Sequence, residues 1–217
     1  MASFRTEYQK VSDDLRTAIL RGDFSPGERL PQRKLAEQFN TTTITVRESL
    51  RALSAEGLVE IEPKWGATVV ELTAKKLEGQ YIVREALEGM SARLACARMD
   101  EVQRRDLLQL AGECDQHLPS EEIDLEKKAA LHYSLHEMIA VNSGCKELVE
   151  AIKRLHIFSL LLLNAYHDIL SADPPGWHTF LAEAVAGDDP DRAEQIMREH
   201  IRRGYQIEEQ MGLSTDI

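Results

Sequence analysis

Residues 42–66, TTITVRESLRALSAEGLVEIEPKWG, constrain this chain more than any other stretch. Val46, Leu50 and Leu53 recur at helical spacing, which predicts a helix over about 44–55, and Gly57 stops it. Two segments of strand character, 58–62 and 67–71, follow at once, joined by Pro63-Lys64-Trp65-Gly66. A helix that feeds directly into a hairpin leaves few folds open. It is the order of a winged helix, in which the helix enters a DNA groove and the hairpin lies beside it.

The residues upstream fit the same plan. Val11, Leu15, Ala18 and Ile19 predict a first helix over about 4–21, stopped by Gly22. Pro26-Gly27 reads as a turn, because Pro presets the first central position and Gly permits positive φ at the second. A second helix is expected over 32–39, with Leu35, Ala36 and Phe39 inward. Thr41-Thr42-Thr43 then supplies the turn and the N-cap of the third helix, where a Thr hydroxyl accepts a free backbone N–H.

Beyond residue 72 the pattern is helical to the end. Six helices are expected, at about 74–98, 100–117, 121–142, 145–171, 174–187 and 190–211. Ser143-Gly144, Asp173-Pro174-Pro175-Gly176 and Gly187-Asp188-Asp189-Pro190 separate the later ones. The expected fold is mainly α: an N-terminal winged helix-turn-helix over 1–72 and a C-terminal all-α helical bundle over 73–217. A chain of 217 residues is long enough for two such domains.

A net charge of −11 argues at first against a DNA partner. The charge is uneven, however. Residues 1–72 carry 10 Lys+Arg against 11 Asp+Glu, leaving 16 against 26 for the rest. Within 29–51, Arg29, Arg33, Lys34, Arg47 and Arg51 face only Glu37 and Glu48. Local charge is what phosphates feel within a Debye length. The three cysteines, Cys96, Cys114 and Cys145, are an odd number with no CxxC pair, and are read as free thiols of a reducing cytoplasm. MASFRTEYQK lacks an apolar signal core, and the apolar run around 159–163 is too short to span a bilayer, so no membrane partner is expected.

With Val46, Leu50 and Leu53 inward, the third helix exposes Thr43, Thr45, Arg47, Glu48 and Arg51. Arg can grip a guanine edge or a phosphate, and Thr a thymine methyl or a phosphate. Arg33 and the wing residue Lys64 are placed to meet the backbone. An ordinary solvated amphipathic helix is the alternative; the wing and the basic bias speak against it. The segment GDFSPGERLPQRKLAEQFNTTTITVRESLRALSAEGLVEIEPKWGATV resembles the winged-helix domain of the GntR family of bacterial transcription regulators. Pro26-Gly27, Leu30, Leu35-Ala36-Glu37, Val46-Arg47-Glu48, Leu50, Leu53, Glu56-Gly57-Leu58-Val59 and Gly66 carry the likeness. The resemblance implies DNA contacts at Arg33, Thr42, Arg47 and Gly66. Three positions depart from the family's habit: Thr43 stands where Arg is usual, Thr45 where Pro is usual and Gln32 where Glu is usual. Loss of that Arg implies a different operator half-site.

Four of the seven histidines lie on apolar helix stripes. His132 and His136 are four apart, so they share one helix face. His178 is in register with Leu181 and Val185, and His200 with Ile196, Met197 and Gly204. Unpartnered buried imidazoles are costly. Four of them on core faces of three helices are explained by convergence on a divalent metal, and imidazole suits Zn, Ni, Cu or Fe. Taken singly, each could instead be a satisfied core or surface histidine. His117, His156 and His167 are left outside the set, although His156 and His167 could line a pocket.

Residues 72–211 resemble the all-helical effector domain of the FadR branch of GntR regulators, the FCD domain. The strings YIVREALEGMSARLA, LHEMIAVNSG and WHTFLAEAVAGDDPDRAEQIMREHI carry the likeness, and six helices rather than seven point to the VanR-like subgroup. The resemblance implies a divalent metal held by one Asp and three His. His136, His178 and His200 match the His positions, while His132 replaces the Asp. It also implies that Arg84 faces a ligand cavity, where it would pair with a carboxylate; an i,i+4 surface pair with Glu88 is the alternative.

The leading expectation is a non-enzymatic, ligand-responsive repressor that binds a double-stranded DNA operator as a homodimer. Its effector would be a small organic acid at a metal, zinc or nickel first. A metal-dependent hydrolase is one rival, but His136-Glu137-Met138-Ile139-Ala140 lacks the second His of a zincin helix. The other rival is a metal-free regulator with an apolar effector.

Overall fold

The computed structural model describes residues 6–71, 73–116, 125–165 and 174–208; within its helices the side chains of 125–129, 157–165 and 207–208 are not described. Expectations that fall on His117, His167 and the apolar side chains of 157–163 therefore lie outside the described residues. The described residues form two compact units: one of residues up to 71 together with 157–165, the other of the remaining helical residues.

In the first unit, α1 (Glu7–Leu20), α2 (Gln32–Gln38) and α3 (Thr43–Ala55) precede β1 (Val59–Glu62) and β2 (Gly66–Val69). α1 and α3 pack through Val11, Leu15 and Ile19 against Val46, Leu50 and Leu53, all buried. α3 starts where the Thr42 hydroxyl accepts from Thr45 N–H at 3.1 Å. It ends in a Schellman turn. Gly57 takes φ +86°, Leu58 N–H reaches Leu53 O at 3.0 Å, and Gly57 N–H reaches Ser54 O at 3.1 Å. Leu53 and Leu58 are both fully buried across that turn, so the helix end and the wing share one anchor. Replacing Thr42 with Ala is expected to lower stability by about 1 kcal/mol through loss of the cap, measurable by chemical denaturation.

The wing is antiparallel, with Val59 opposite Val69 and Glu62 opposite Gly66. Gly66 thus lies within β2, one residue earlier than expected, and the expected strand ends at 58 and 70–71 fall outside the strands. A feature absent from the sequence reading is a third pairing. Residues 27–30 run along the other edge of β2, with Leu30 N–H on Ala67 O at 2.8 Å and Val69 N–H on Glu28 O at 2.9 Å.

The second unit contains α4 (Ala74–Arg98), α5 (Glu101–Gln116), α6 (Leu125–Asn142), the part of α7 (Lys146–Ala165) up to His156, α8 (Trp177–Val185) and α9 (Pro190–Glu208). α4 and α9 are its most extensive pair. The Arg198 side chain lies across Gly89 of α4, and Glu85 pairs with Arg202 at 2.6 Å. α6 packs on α4 and α5, and α8 on α5 and α9. α8 starts at Trp177 rather than 174, because Gly176 takes φ +79° and breaks the helical path. Among the described residues no helix is long and apolar enough to cross a membrane.

Candidate functional site

α3 presents the expected solvent face. Thr43, Arg47 and Arg51 are exposed and Thr45 is half-buried. Glu48 is held by Arg51 at 3.0 Å and stands 3.9 Å from Arg47 Nε, so Arg47 is only loosely engaged. Thr42 is exposed, but its hydroxyl caps α3 and lies 3.0 Å from the Thr45 hydroxyl. Arg33 is exposed on α2. Lys64, at φ +74°, and Gly66 are exposed on the wing. The sequence reading passed over Trp65, which is 67% exposed at the wing tip with the Arg29 guanidinium 5.6 Å from its ring centre. An exposed Trp in a turn was itself a visible signal.

In the second unit the four histidines converge from three helices. His132 and His136 come from α6, His178 from α8 and His200 from α9. His136 Nε2 lies 3.2 Å from His200 Nε2, and His132 Nδ1 lies 3.0 Å from His178 Nε2. Ligand nitrogens of His132, His136 and His200 all fall within 4.8 Å of one another. Two nitrogens each about 2.05 Å from one ion stand about 2.9 Å apart at a right angle and about 3.3 Å apart in a tetrahedron. The observed spacings are of that size.

Beneath these rings lies a set of charges that the sequence reading missed as a group. Glu88 of α4 is buried and accepts from Arg84 Nε at 2.8 Å. It also contacts His136 Nδ1, and its other oxygen lies 3.4 Å from His156 Nε2. Burial pushes the Glu88 carboxyl up, but Arg84, His136 and His156 outweigh it and hold the acid well below its usual range. Asp115 of α5 accepts from His178 Nδ1 at 2.9 Å and from the Thr179 hydroxyl at 2.6 Å. Burial likewise raises Asp115, and the bonds from Thr179 and His178 bring it below its usual value. Burial first, then the neighbouring imidazoles, depresses His132 and His200 well below the ordinary histidine value, so both are neutral near pH 7. Neutral imidazoles keep the lone pairs that a metal needs.

The pair of Arg84 with Glu88 is real, yet it is not a surface pair: both side chains are buried. Arg84 also lies over the Tyr81 ring, 4.9 Å from its centre. His156, left outside the set in the sequence reading, is buried against Glu88. All three cysteines are free, and burial raises the Cys114 thiol to about 12, which leaves it protonated.

Comparison with known families gives two separate matches along the chain. Residues 7–69 match the bacterial regulatory proteins of the gntR family, and residues 81–203, more than half of the chain, match the FCD domain. The chain belongs to the GntR family, with an FCD domain. It is 27% identical over 200 residues to the uncharacterized HTH-type transcriptional regulator YdhC of Bacillus subtilis (strain 168), covering 90% of this chain and 78% of that protein. It is 27% identical over 199 residues to the HTH-type transcriptional repressor GlaR of Escherichia coli (strain K12), covering 86% of this chain and 89% of that protein. The solved structure of E. coli McbR/YncC superposes with a TM-score of 0.74 at 24% identity, covering 96% of this chain and 99% of that one, which supports the fold. This GntR-family protein is therefore a transcription regulator with a DNA-binding winged helix, not an enzyme. A hydrolase reading of the histidine cluster lapses with that assignment.

Proposed function

We propose that this protein is an operator-binding repressor whose DNA affinity is set by a small organic acid bound beside a divalent metal. Division of labour follows the expected boundaries, with residues 1–72 reading DNA and 73–217 sensing the effector and dimerising. Arg33, Thr42, Thr43, Thr45, Arg47, Lys64 and Gly66 form the DNA face, joined by Trp65 and Arg29 at the wing. His132, His136, His178 and His200 hold zinc or nickel.

The observation that carries the metal is the approach of facing imidazole nitrogens at 3.0 and 3.2 Å. Without a cation, each contact needs a proton on one nitrogen. Protonating His200 Nε2 leaves its Nδ1 as a bare acceptor, and that atom is buried with no hydrogen-bond partner among the described residues. When bound, the ion offers an open coordination position to an effector carboxylate. Arg84 can hold a second carboxylate only by sharing its guanidinium with Glu88. The repressor sign rests on relatives named as repressors, GlaR among them.

Homodimerisation is supported by α4, which leaves Ile82, Val83 and Met90 exposed along a helix of the effector unit. Such an apolar strip on one face is what a two-fold partner covers. Light scattering is expected to give twice the 24.5 kDa chain mass at micromolar concentration. Ile82→Glu with Met90→Glu should shift the population towards monomer, and an unchanged mass would move the interface elsewhere.

The test of the whole reading starts from duplexes selected out of a random pool by the zinc-loaded protein. A pseudo-palindromic consensus whose affinity changes with carboxylic acids, and only in metal-loaded protein, is the expected result. Equal response to acyl chains in metal-free protein would favour an apolar effector.

A further inference from the structure

We infer that Glu88 and Asp115 are the positioning residues of the metal site, each turning one histidine so that its Nε2 lone pair faces the ion. The inference rests on the metal reading above and adds two residues that neither the sequence nor the family match assigns.

The argument starts from which nitrogen of each ring is already committed. Asp115 takes four donors: the His178 and Thr179 backbone N–H groups at 3.2 and 2.9 Å, the Thr179 hydroxyl at 2.6 Å, and His178 Nδ1 at 2.9 Å. A carboxylate surrounded by donors is an acceptor only. His178 Nδ1 must therefore carry a proton, and in the neutral ring that a metal needs Nε2 is the bare atom. That atom is the one lying 3.0 Å from His132 Nδ1. Because Asp115 also holds two backbone N–H groups in the first turn of α8, the imidazole and the helix that carries it share one anchor.

Glu88 does the same for His136 from the opposite side. Its Oε1 takes Arg84 Nε at 2.8 Å, and its Oε2 takes His136 Nδ1. His136 Nδ1 is then the donor, and in the neutral ring Nε2 is the bare atom, 3.2 Å from His200 Nε2. Two carboxylates on two different helices, α4 and α5, thus aim the His136 nitrogen of α6 at His200 and the His178 nitrogen of α8 at His132. Ligating histidines usually lean on such an acceptor, and losing it typically costs about 10–100-fold in metal affinity.

The arrangement also fits the chemistry of the ligand set. With His132 in place of an acid, all four donors are neutral nitrogens, and the negative charge sits one residue outside the ion rather than on it. A nitrogen set of this kind suits zinc, nickel or copper and not magnesium or calcium. His200 differs from His136 and His178: its Nδ1 has no acceptor among the described residues, so packing orients its ring.

The test uses the full chain and zinc or nickel alone as the probe. Binding is measured by titration against a competing chelator for the wild type, Asp115→Asn and Glu88→Gln. The ring tautomers of the metal-free wild type are read from imidazole nitrogen NMR shifts. The expected results are one ion per chain in the wild type and about 10–100-fold weaker binding in each variant. In the metal-free wild type, His136 and His178 should carry their proton on Nδ1. Melting of the metal-free proteins separates positioning from folding, since a purely structural role lowers stability and leaves the affinity of the folded fraction alone. Should Glu88→Gln not fold, Asp115→Asn and the wild-type tautomers still decide. Wild-type binding with both variants within roughly threefold, or His136 and His178 protonated on Nε2, would overturn the positioning role and leave the metal standing. A wild type that takes up neither ion would instead remove the metal reading itself.

Discussion

Stripping divalent metal from the purified protein is expected to lower its melting temperature by about 10 °C, and zinc or nickel should restore it. The size follows from linkage. A ligand present at about a thousand times its dissociation constant stabilises the folded state by about 4 kcal/mol, and 1 kcal/mol shifts a chain of this length by about 2–4 °C. His136→Ala removes a ligand that faces both His200 and Glu88, so its melting should no longer respond to either ion. The sign with pH is also fixed. His132 and His200 are held below the ordinary histidine value in the fold, so below about pH 6.5 the unfolded chain binds more protons than the folded one. Stability from these groups is present above that pH and is lost as pH falls. Calorimetry across pH 5–8, with and without chelator, measures all three effects. Metal-free wild type whose melting is unmoved by zinc and nickel would reject the site.

Why the four histidines were legible and their supports were not is a matter of period. His132, His136, His178 and His200 stand in apolar stripes, and a polar residue in such a stripe announces itself. The start and stop of α3 were equally plain, because Thr42 and Gly57 are local signals. Asp115 sits near the end of α5 and meets a histidine 63 residues away, which no local pattern encodes. His156 meets Glu88 across 68 residues for the same reason. Arg84 and Glu88 were within reach. They fall in the register of Leu77, Tyr81, Ala92 and Ala95, the buried face of α4, but as an i,i+4 ion pair they read as solvent-facing. The pairing of residues 27–30 with β2 escaped because it spans too few residues to show a strand period.

Arg47→Ala should cost the winged helix more than any other exposed substitution. Its side chain is half exposed on α3, in the row that begins with Thr43. The nearest carboxylate, Glu48, is 3.9 Å away and already bonded to Arg51 at 3.0 Å. An exposed pair of that kind is worth about 0–1 kcal/mol, so Arg47 gives up little when it turns to DNA. A bidentate grip on a guanine or a well-formed phosphate clamp is worth about 1–3 kcal/mol. In a dimer both protomers change at once and the two sites are far apart, so the losses add. Operator affinity should therefore fall by about 2–6 kcal/mol, with folding stability nearly unchanged. Arg33→Ala, on α2, separates the two kinds of contact. If Arg33 meets only phosphate, its loss weakens all duplexes alike and lowers the salt slope by about one per protomer, whereas loss of a base contact at Arg47 relaxes preference at one operator position. Fluorescence anisotropy on the selected duplex and on scrambled controls, at several salt concentrations, gives both readings. Arg47→Ala within roughly twofold of wild type would mean that α3 is not the reading helix.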